Sequence, residues 1–206
     1  MQQDPMNRRP ADVVTFDQAA FDEACAALMQ LVAQEGWPDV LIGIRTGGLH
    51  VAESMARSVG FALPVLSLTC RRATTAAKNR LGPMKKLVSS LPRPLVDRLR
   101  VIEHALMTRK PAAAPASGAY RFDPAELAVL EEWLGEAGPN PRLVVVDDAV
   151  DTGATLSLVL DAVSHRAPGA EIRSAVITVT TERPLATPRH TLYRRQLCRF
   201  PWSLDA

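Results

Sequence analysis

No apolar run in this 206-residue chain approaches the roughly 20 residues a membrane-spanning helix needs, which excludes an integral helical membrane protein. No apolar segment follows the basic start MQQDPMNRRP, so no secretory signal is expected. Cysteine is scarce: Cys25, Cys70 and Cys198 form an odd, widely spaced set with no CxxC pair. That argues for reduced thiols in a cytoplasmic protein, and against a disulfide or zinc framework. GxGxxG, GxxxxGK[ST] and HExxH are all missing. His50, His104, His165 and His190 lack ligand spacing and are expected on the surface or on helix faces. Cys70 stands beside Arg71 and Arg72, which would depress its pKa, but no base is in sight to make it a nucleophile.

With 47% hydrophobic and 22% charged residues, the composition is that of an ordinary globular chain. Its length fits one domain, or one domain with an insertion. The net charge of +2 conceals an asymmetry. Between Arg71 and Lys110, eleven basic residues face only Asp97 and Glu103, so this segment carries +9 and the remainder −7. Such a segment either faces an anion or is a solvated helical face.

Apolar residues Phe21, Ala24, Leu28, Leu31 and Val32 recur at helical spacing between Asp17 and Gln34, and Gly36 with Pro38 ends the helix. DVLIGI (39–44) reads as a buried strand. It runs through RTGG (45–48) into a helix ending at Gly60. PVLSLTC (64–70) is a second strand. The 71–118 stretch breaks this rhythm with a basic connector, a helix over about 94–107 and a loop rich in small residues and proline. A helix over 123–138 follows, then the strand RLVVVDD (142–148), a helix over 153–166 and the strand EIRSAVITVT (171–180). Alternating strands and helices predict an α/β fold, a mostly parallel twisted sheet covered by helices on both faces. Residues 1–10 are expected to be a disordered tail. Residues 11–206 would be a single domain, with a helical insertion at about 71–118 over the sheet's carboxyl edge.

The chemistry concentrates in LVVVDDAVDTGAT (143–155). The backbone N–H groups of Thr152, Gly153, Ala154 and Thr155, with the two threonine hydroxyls, lie where a helix begins, which suits a phosphate. Gly153 permits close approach of the backbone. Asp147 and Asp148 are expected at the strand's exposed end, where they can accept hydrogen bonds from a vicinal diol or hold a hydrated divalent metal. The competing reading is an acidic strand end with Asp151 as a helix N-cap. In RTGG, Arg45, Thr46, Gly47 and Gly48 offer N–H groups and a guanidinium to a diphosphate, although alone this is only a tight turn.

LVVVDDAVDTGAT resembles the 5-phosphoribosyl-1-diphosphate (PRPP) binding motif of the type I phosphoribosyltransferases over thirteen consecutive positions. The resemblance implies that Asp147 and Asp148 bind the ribose hydroxyls and, directly or through water, Mg²⁺. Residues 151–155 would hold the 5′-phosphate, and Asp151 would be the general base in purine-using members. RTGG is similar to the family's pyrophosphate loop, where a non-proline cis peptide commonly lies at the positions of Arg45 and Thr46. Arg71 or Arg72 would reach the diphosphate. The C-terminal Phe-Pro-Trp (200–202) is similar to the end of hypoxanthine-, xanthine- and guanine-type enzymes, which implies a small C-terminal hood in which Phe200 or Trp202 would stack on a base; the alternative is a tail that packs on the sheet. The reading is therefore a Mg²⁺-dependent transferase moving the phosphoribosyl group from PRPP to a purine-like base, with PRPP and a base as partners and a homodimer as the assembly. Its rival is a PRPP- or nucleotide-sensing regulator whose basic insert binds nucleic acid or a protein. The long insert departs from the family's short mobile loop.

Overall fold

The computed structural model describes residues 13–72 and 120–203. The expected N-terminal tail, the 94–107 helix and the 110–118 loop lie outside the described residues. The elements in chain order are β1 (Val14–Thr15), α1 (Gln18–Ala33), β2 (Val40–Ile44), α2 (Gly47–Arg57), β3 (Val65–Leu68), β4 (Cys70–Arg72), β5 (Tyr120–Phe122), α3 (Pro124–Glu136), β6 (Arg142–Val150), α4 (Ala154–Arg166), β7 (Glu171–Val179), β8 (His190–Arg194) and β9 (Cys198–Arg199). Among them no helix is long and apolar enough to cross a membrane.

Five strands form one sheet in the order β3-β2-β6-β7-β8, and every neighbouring pair is parallel. Parallel strands need both faces covered. Leu41, Val144, Val146, Ala175 and Ile177 point to one face, where they pack with Phe21, Leu28 and Val32 of α1 and Val51 and Met55 of α2. Val40, Ile42, Leu143, Val145 and Val176 point to the other, against Leu130 of α3 and Leu156, Val159 and Val163 of α4. This alternation accounts for the unbroken apolar runs DVLIGI and RLVVV.

From β2 the chain crosses outward to β3, whereas β6, β7 and β8 extend the sheet in the opposite direction. The carboxyl ends of β2 and β6 therefore flank the switch point, where open parallel sheets form a crevice. Two small ribbons lie outside the sheet. β1 pairs in parallel with β9, joining the two ends of the chain, and β4 pairs antiparallel with β5. The second ribbon, which adjoins the carboxyl end of β3, carries Arg72 and Tyr120, the residues that border the undescribed residues 73–119.

The strand β6 is longer than its sequence pattern suggested. Beyond Asp148 it continues to pair with β7, Ala149 opposite Thr178 and Val150 opposite Val179. On its other side the pairing with β2 ends at Gly43 opposite Val146. Asp147 and Asp148 consequently lie within a strand, on the flank that β2 has vacated, and not at an exposed strand end.

Candidate active site

Two helix N-termini converge on this flank. α2 begins within RTGG, at Gly47, and α4 directly after DTG, and neither is capped by the side chain of its N-cap residue; Ala154 N makes only a long 3.4 Å contact with Thr152 Oγ1. By contrast α1 is capped by Asp17, whose carboxylate accepts from Ala20 N at 2.8 Å, and α3 by Asp123, which accepts from Ala125 N at 3.0 Å. The N-termini of α2 and α4 thus direct open N–H groups and the positive ends of their dipoles into the crevice.

Glycines make the approach possible. A Cβ on Gly48 would lie 2.4 Å from the Val146 carbonyl oxygen and 2.8 Å from Asp147 Cα, both backbone atoms. One on Gly47 would lie 2.0 Å from Asp148 Oδ2. The start of α2 therefore rests directly on the carboxylate pair. The Arg45-Thr46 peptide is cis. Gly153 has φ +76°, a conformation other residues rarely adopt, and a Cβ there would lie 2.8 Å from Ala186 N. Its close neighbour is the 185–186 backbone, tied down where Leu185 N donates to Thr152 O at 2.8 Å.

Asp147 and Asp148 are half-buried. Burial, then the neighbouring Asp148 charge, holds the Asp147 carboxyl well above the usual aspartate range. Burial also raises Asp148, against hydrogen bonds that favour its charged form. Asp148 N donates to Asp147 Oδ1 at 3.0 Å, and Ala149 N donates to Asp148 Oδ1 at 2.9 Å. A pair so placed gains from hydroxyl donors or a cation. Asp151 is exposed on the turn after β6 and accepts from Thr180 Oγ1 at 3.1 Å. It is not the cap of α4, because Gly153 occupies that position. Thr152 is exposed, with Oγ1 3.4 Å from Ala154 N, while Ala154 and Thr155 are partly open.

The Mg²⁺ that the resemblance implies suits this donor set. Among the described residues no group of three or more His, Cys, Asp or Glu side chains could enclose an ion. Two adjacent carboxylates match an ion that keeps its remaining positions for water and substrate phosphate oxygens.

Several expectations need correction. Phe200 is only 5% exposed, and its ring stacks on Phe16 (5.8 Å between centroids) and on Trp202 (5.0 Å, 3° between planes). It is a core residue with no face free for a base. Trp202 is half-buried, edge-on to Phe21 at 4.9 Å and 4.8 Å from the His50 ring. Cys70 packs against the second core, and burial raises its thiol pKa where the flanking arginines were expected to lower it. Arg71 is exposed and lies directly opposite Arg121 across the β4-β5 ribbon, and Arg72 is opposite Tyr120.

Four residues near the site carried no sequence signal of their own. Glu126 binds Arg45 and the end of β3. His50, read as a helix-face histidine, has its ring 4.8 Å from that of Trp202, and a positive charge on it favours the ionised form of Asp148. Arg121 doubles the positive charge opposite Arg71, and Thr180 holds Asp151. Only the fold brings them there.

A parallel α/β sheet with two helix N-termini and a carboxylate pair at its switch point is an architecture suited to a phosphorylated ligand. The chain matches the phosphoribosyl transferase domain family over residues 15–194, and it belongs to that family. No curated protein matches it. Solved structures share the fold. A purine phosphoribosyltransferase from Pyrococcus horikoshii is 20% identical, with TM-score 0.54 and 92% of each chain covered. The xanthine-guanine-hypoxanthine phosphoribosyltransferase of Helicobacter pylori is 14% identical, with TM-score 0.58 and 94% of this chain and 95% of that one covered. A hypothetical protein from Neisseria gonorrhoeae with bound ppGpp is 13% identical, with TM-score 0.56 and coverage of 95% and 92%.

Proposed function

We propose that the protein transfers the 5-phosphoribosyl group from PRPP to a purine-type base and releases diphosphate. The observation that carries this reading is the pairing of two uncapped helix N-termini around the Asp147-Asp148 carboxylates, with Gly47 in contact with Asp148. One N-terminus suits each charged end of PRPP, and the carboxylates lie between them where the ribose would sit.

In this reading the N–H groups and hydroxyls of residues 152–155 hold the 5-phosphate, and Asp147 and Asp148 accept from the ribose hydroxyls. Arg45, Thr46, Gly47 and Gly48 hold the diphosphate, with Arg71 and Arg121 at the base of the insert adding positive charge. The bond from ribose C1 to the diphosphate oxygen breaks and a bond from C1 to a base nitrogen forms. Positive charge that develops on the ribose is stabilised by the carboxylates beneath it, and Asp151 accepts the proton lost by the base. Mg²⁺, when bound, neutralises charge on the leaving diphosphate. Trp202, beside His50, is the aromatic neighbour of the base. The names of the Pyrococcus and Helicobacter relatives favour a purine. Three free cysteines suit a reducing, cytoplasmic setting, and a homodimer is the assembly this reading takes.

A diphosphate-release assay with PRPP, Mg²⁺ and a panel of purines, pyrimidines and amines tests the proposal. Base-dependent release is expected with at least one purine, and no release with any acceptor would refute it. The second reading, a nucleotide-sensing regulator, draws on the ppGpp bound to the Neisseria protein and on the +9 segment. It predicts nucleotide or RNA binding that weakens steeply with salt, without turnover.

A further inference from the structure

Arg45 is the only arginine of the RTGG loop, and it does not stand free. Its Nε donates to Glu126 Oε1 at 3.0 Å and its Nη2 donates to Ser67 Oγ at 3.1 Å. Ser67 Oγ in turn donates to the same Glu126 oxygen at 2.9 Å. The second oxygen of Glu126 accepts from the backbone N–H of Thr69. One carboxylate thus receives donors from the end of β2, from within β3 and from the residue after β3. The Glu126 side chain is 16% exposed and that of Arg45 is 47% exposed, so the acid is the enclosed partner and the guanidinium faces outward.

Glu126 belongs to the first turn of α3, which starts directly after β5, the strand on which the chain returns from the insert. Asp123 N donates to Thr69 O at 3.3 Å, closing that junction. The ion pair therefore joins the return arm of the insert to the RTGG loop.

We infer that Glu126 is a positioning residue for the diphosphate loop: it orients the Arg45 guanidinium toward the crevice through the Arg45–Ser67–Glu126 cluster. The inference rests on the phosphoribosyltransferase reading and adds to it a residue outside both sequence motifs. The physical need is clear. A free arginine samples many rotamers and loses that freedom on binding an anion, whereas one held through Nε and Nη2 has lost it already. Nη1 has no protein partner among the described residues and remains for the ligand. The negative charge of Glu126 is occupied by its own three donors, Arg45 Nε, Ser67 Oγ and Thr69 N.

The test is a double-mutant cycle on the full chain, read by calorimetric binding of inorganic diphosphate with Mg²⁺ and by PRPP kinetics. Glu126→Gln should weaken diphosphate binding and raise KM for PRPP by about tenfold, with a smaller change in kcat, since a loosened anchor misplaces the ligand. In an Arg45→Ala background the same substitution should have almost no effect. Equal losses in both backgrounds, or no loss in the parent, would overturn the inference. If Glu126→Gln melts too early to assay, Ser67→Ala carries the cycle with the same expected pattern, and its failure to depend on Arg45 overturns the inference equally. A parent chain that binds no diphosphate defeats the transferase reading and this inference together. A parent that binds it while the cycle shows no coupling defeats the inference alone.

Discussion

Asp147 and Asp148 face opposing demands: as acceptors they serve a ligand, and as adjacent half-buried carboxylates they work against the fold. A native carboxyl with a raised pKa keeps a proton that the unfolded chain has already released. Stability therefore falls as pH rises from the ordinary aspartate range through the raised value, and it is not regained above it. The double variant Asp147→Asn with Asp148→Asn should melt higher than the parent at pH 7, by about 2–4 °C per kcal/mol relieved. The advantage should shrink as the pH is lowered toward 4. The same variant should have no PRPP turnover, and normal turnover would end the transferase reading. Asp151 makes a different demand, because it lies in the open and is bonded to Thr180. Asp151→Asn should lower kcat by about 100-fold or more while PRPP binding changes little, as expected of a base acting in the transition state. Collapsed affinity with unchanged kcat would make it a binding residue.

At the scale of elements, the site is built from ends: the carboxyl ends of β2 and β6 and the N-termini of α2 and α4. The C-terminal segment reaches the start of α2 through packing. Trp202 covers Phe200, meets Phe21 edge-on and touches His50, so it joins the first core to the first turn of α2. Trp202→Ala should therefore act twice. Lost ring contacts lower the melting temperature, and lost stacking raises KM for the base by the equivalent of about 1–3 kcal/mol. KM for PRPP should stay within about twofold of the parent. An equal rise for both substrates would make the tail purely structural.

Across the whole molecule, the edge of the sheet opposite the crevice carries stability without chemistry. Arg173 is buried on β7 and donates to Val32 O at 3.0 Å and Gly36 O at 2.8 Å, fastening the end of α1 to the sheet. Nearby, His190 is buried at the start of β8. Desolvation lowers its pKa, against the charge of Glu35. The unfolded chain takes up this proton near the ordinary histidine value before the native one does, so stability is lost as pH falls below about 6.5. Between pH 5 and 7.5 this loss opposes the gain from protonating the Asp147-Asp148 pair, so His190→Gln should raise the acid-side melting temperatures relative to the parent, without altering kcat. A slope unchanged by the substitution would assign the acid loss to other groups.

Much of this architecture is local in origin. The period of the apolar residues, the glycines after β2 and β6 and the run of carboxylates specify strands, turns and helix starts within a few residues of each other. The βαβ order, the parallel sheet and the glycine turns that open α2 and α4 were accordingly legible in the chain. The length of β6 was not, because a strand extends as far as its neighbour pairs with it, and Thr178 and Val179 of β7 set that limit. Glu126 reaches Arg45 across 81 positions, and Phe200 is buried by Phe16 from the other end of the chain. Such contacts depend on which elements become neighbours in space. Sequence determined which groups could bind a phosphorylated sugar, and tertiary structure decided which of them face the crevice and what holds them there.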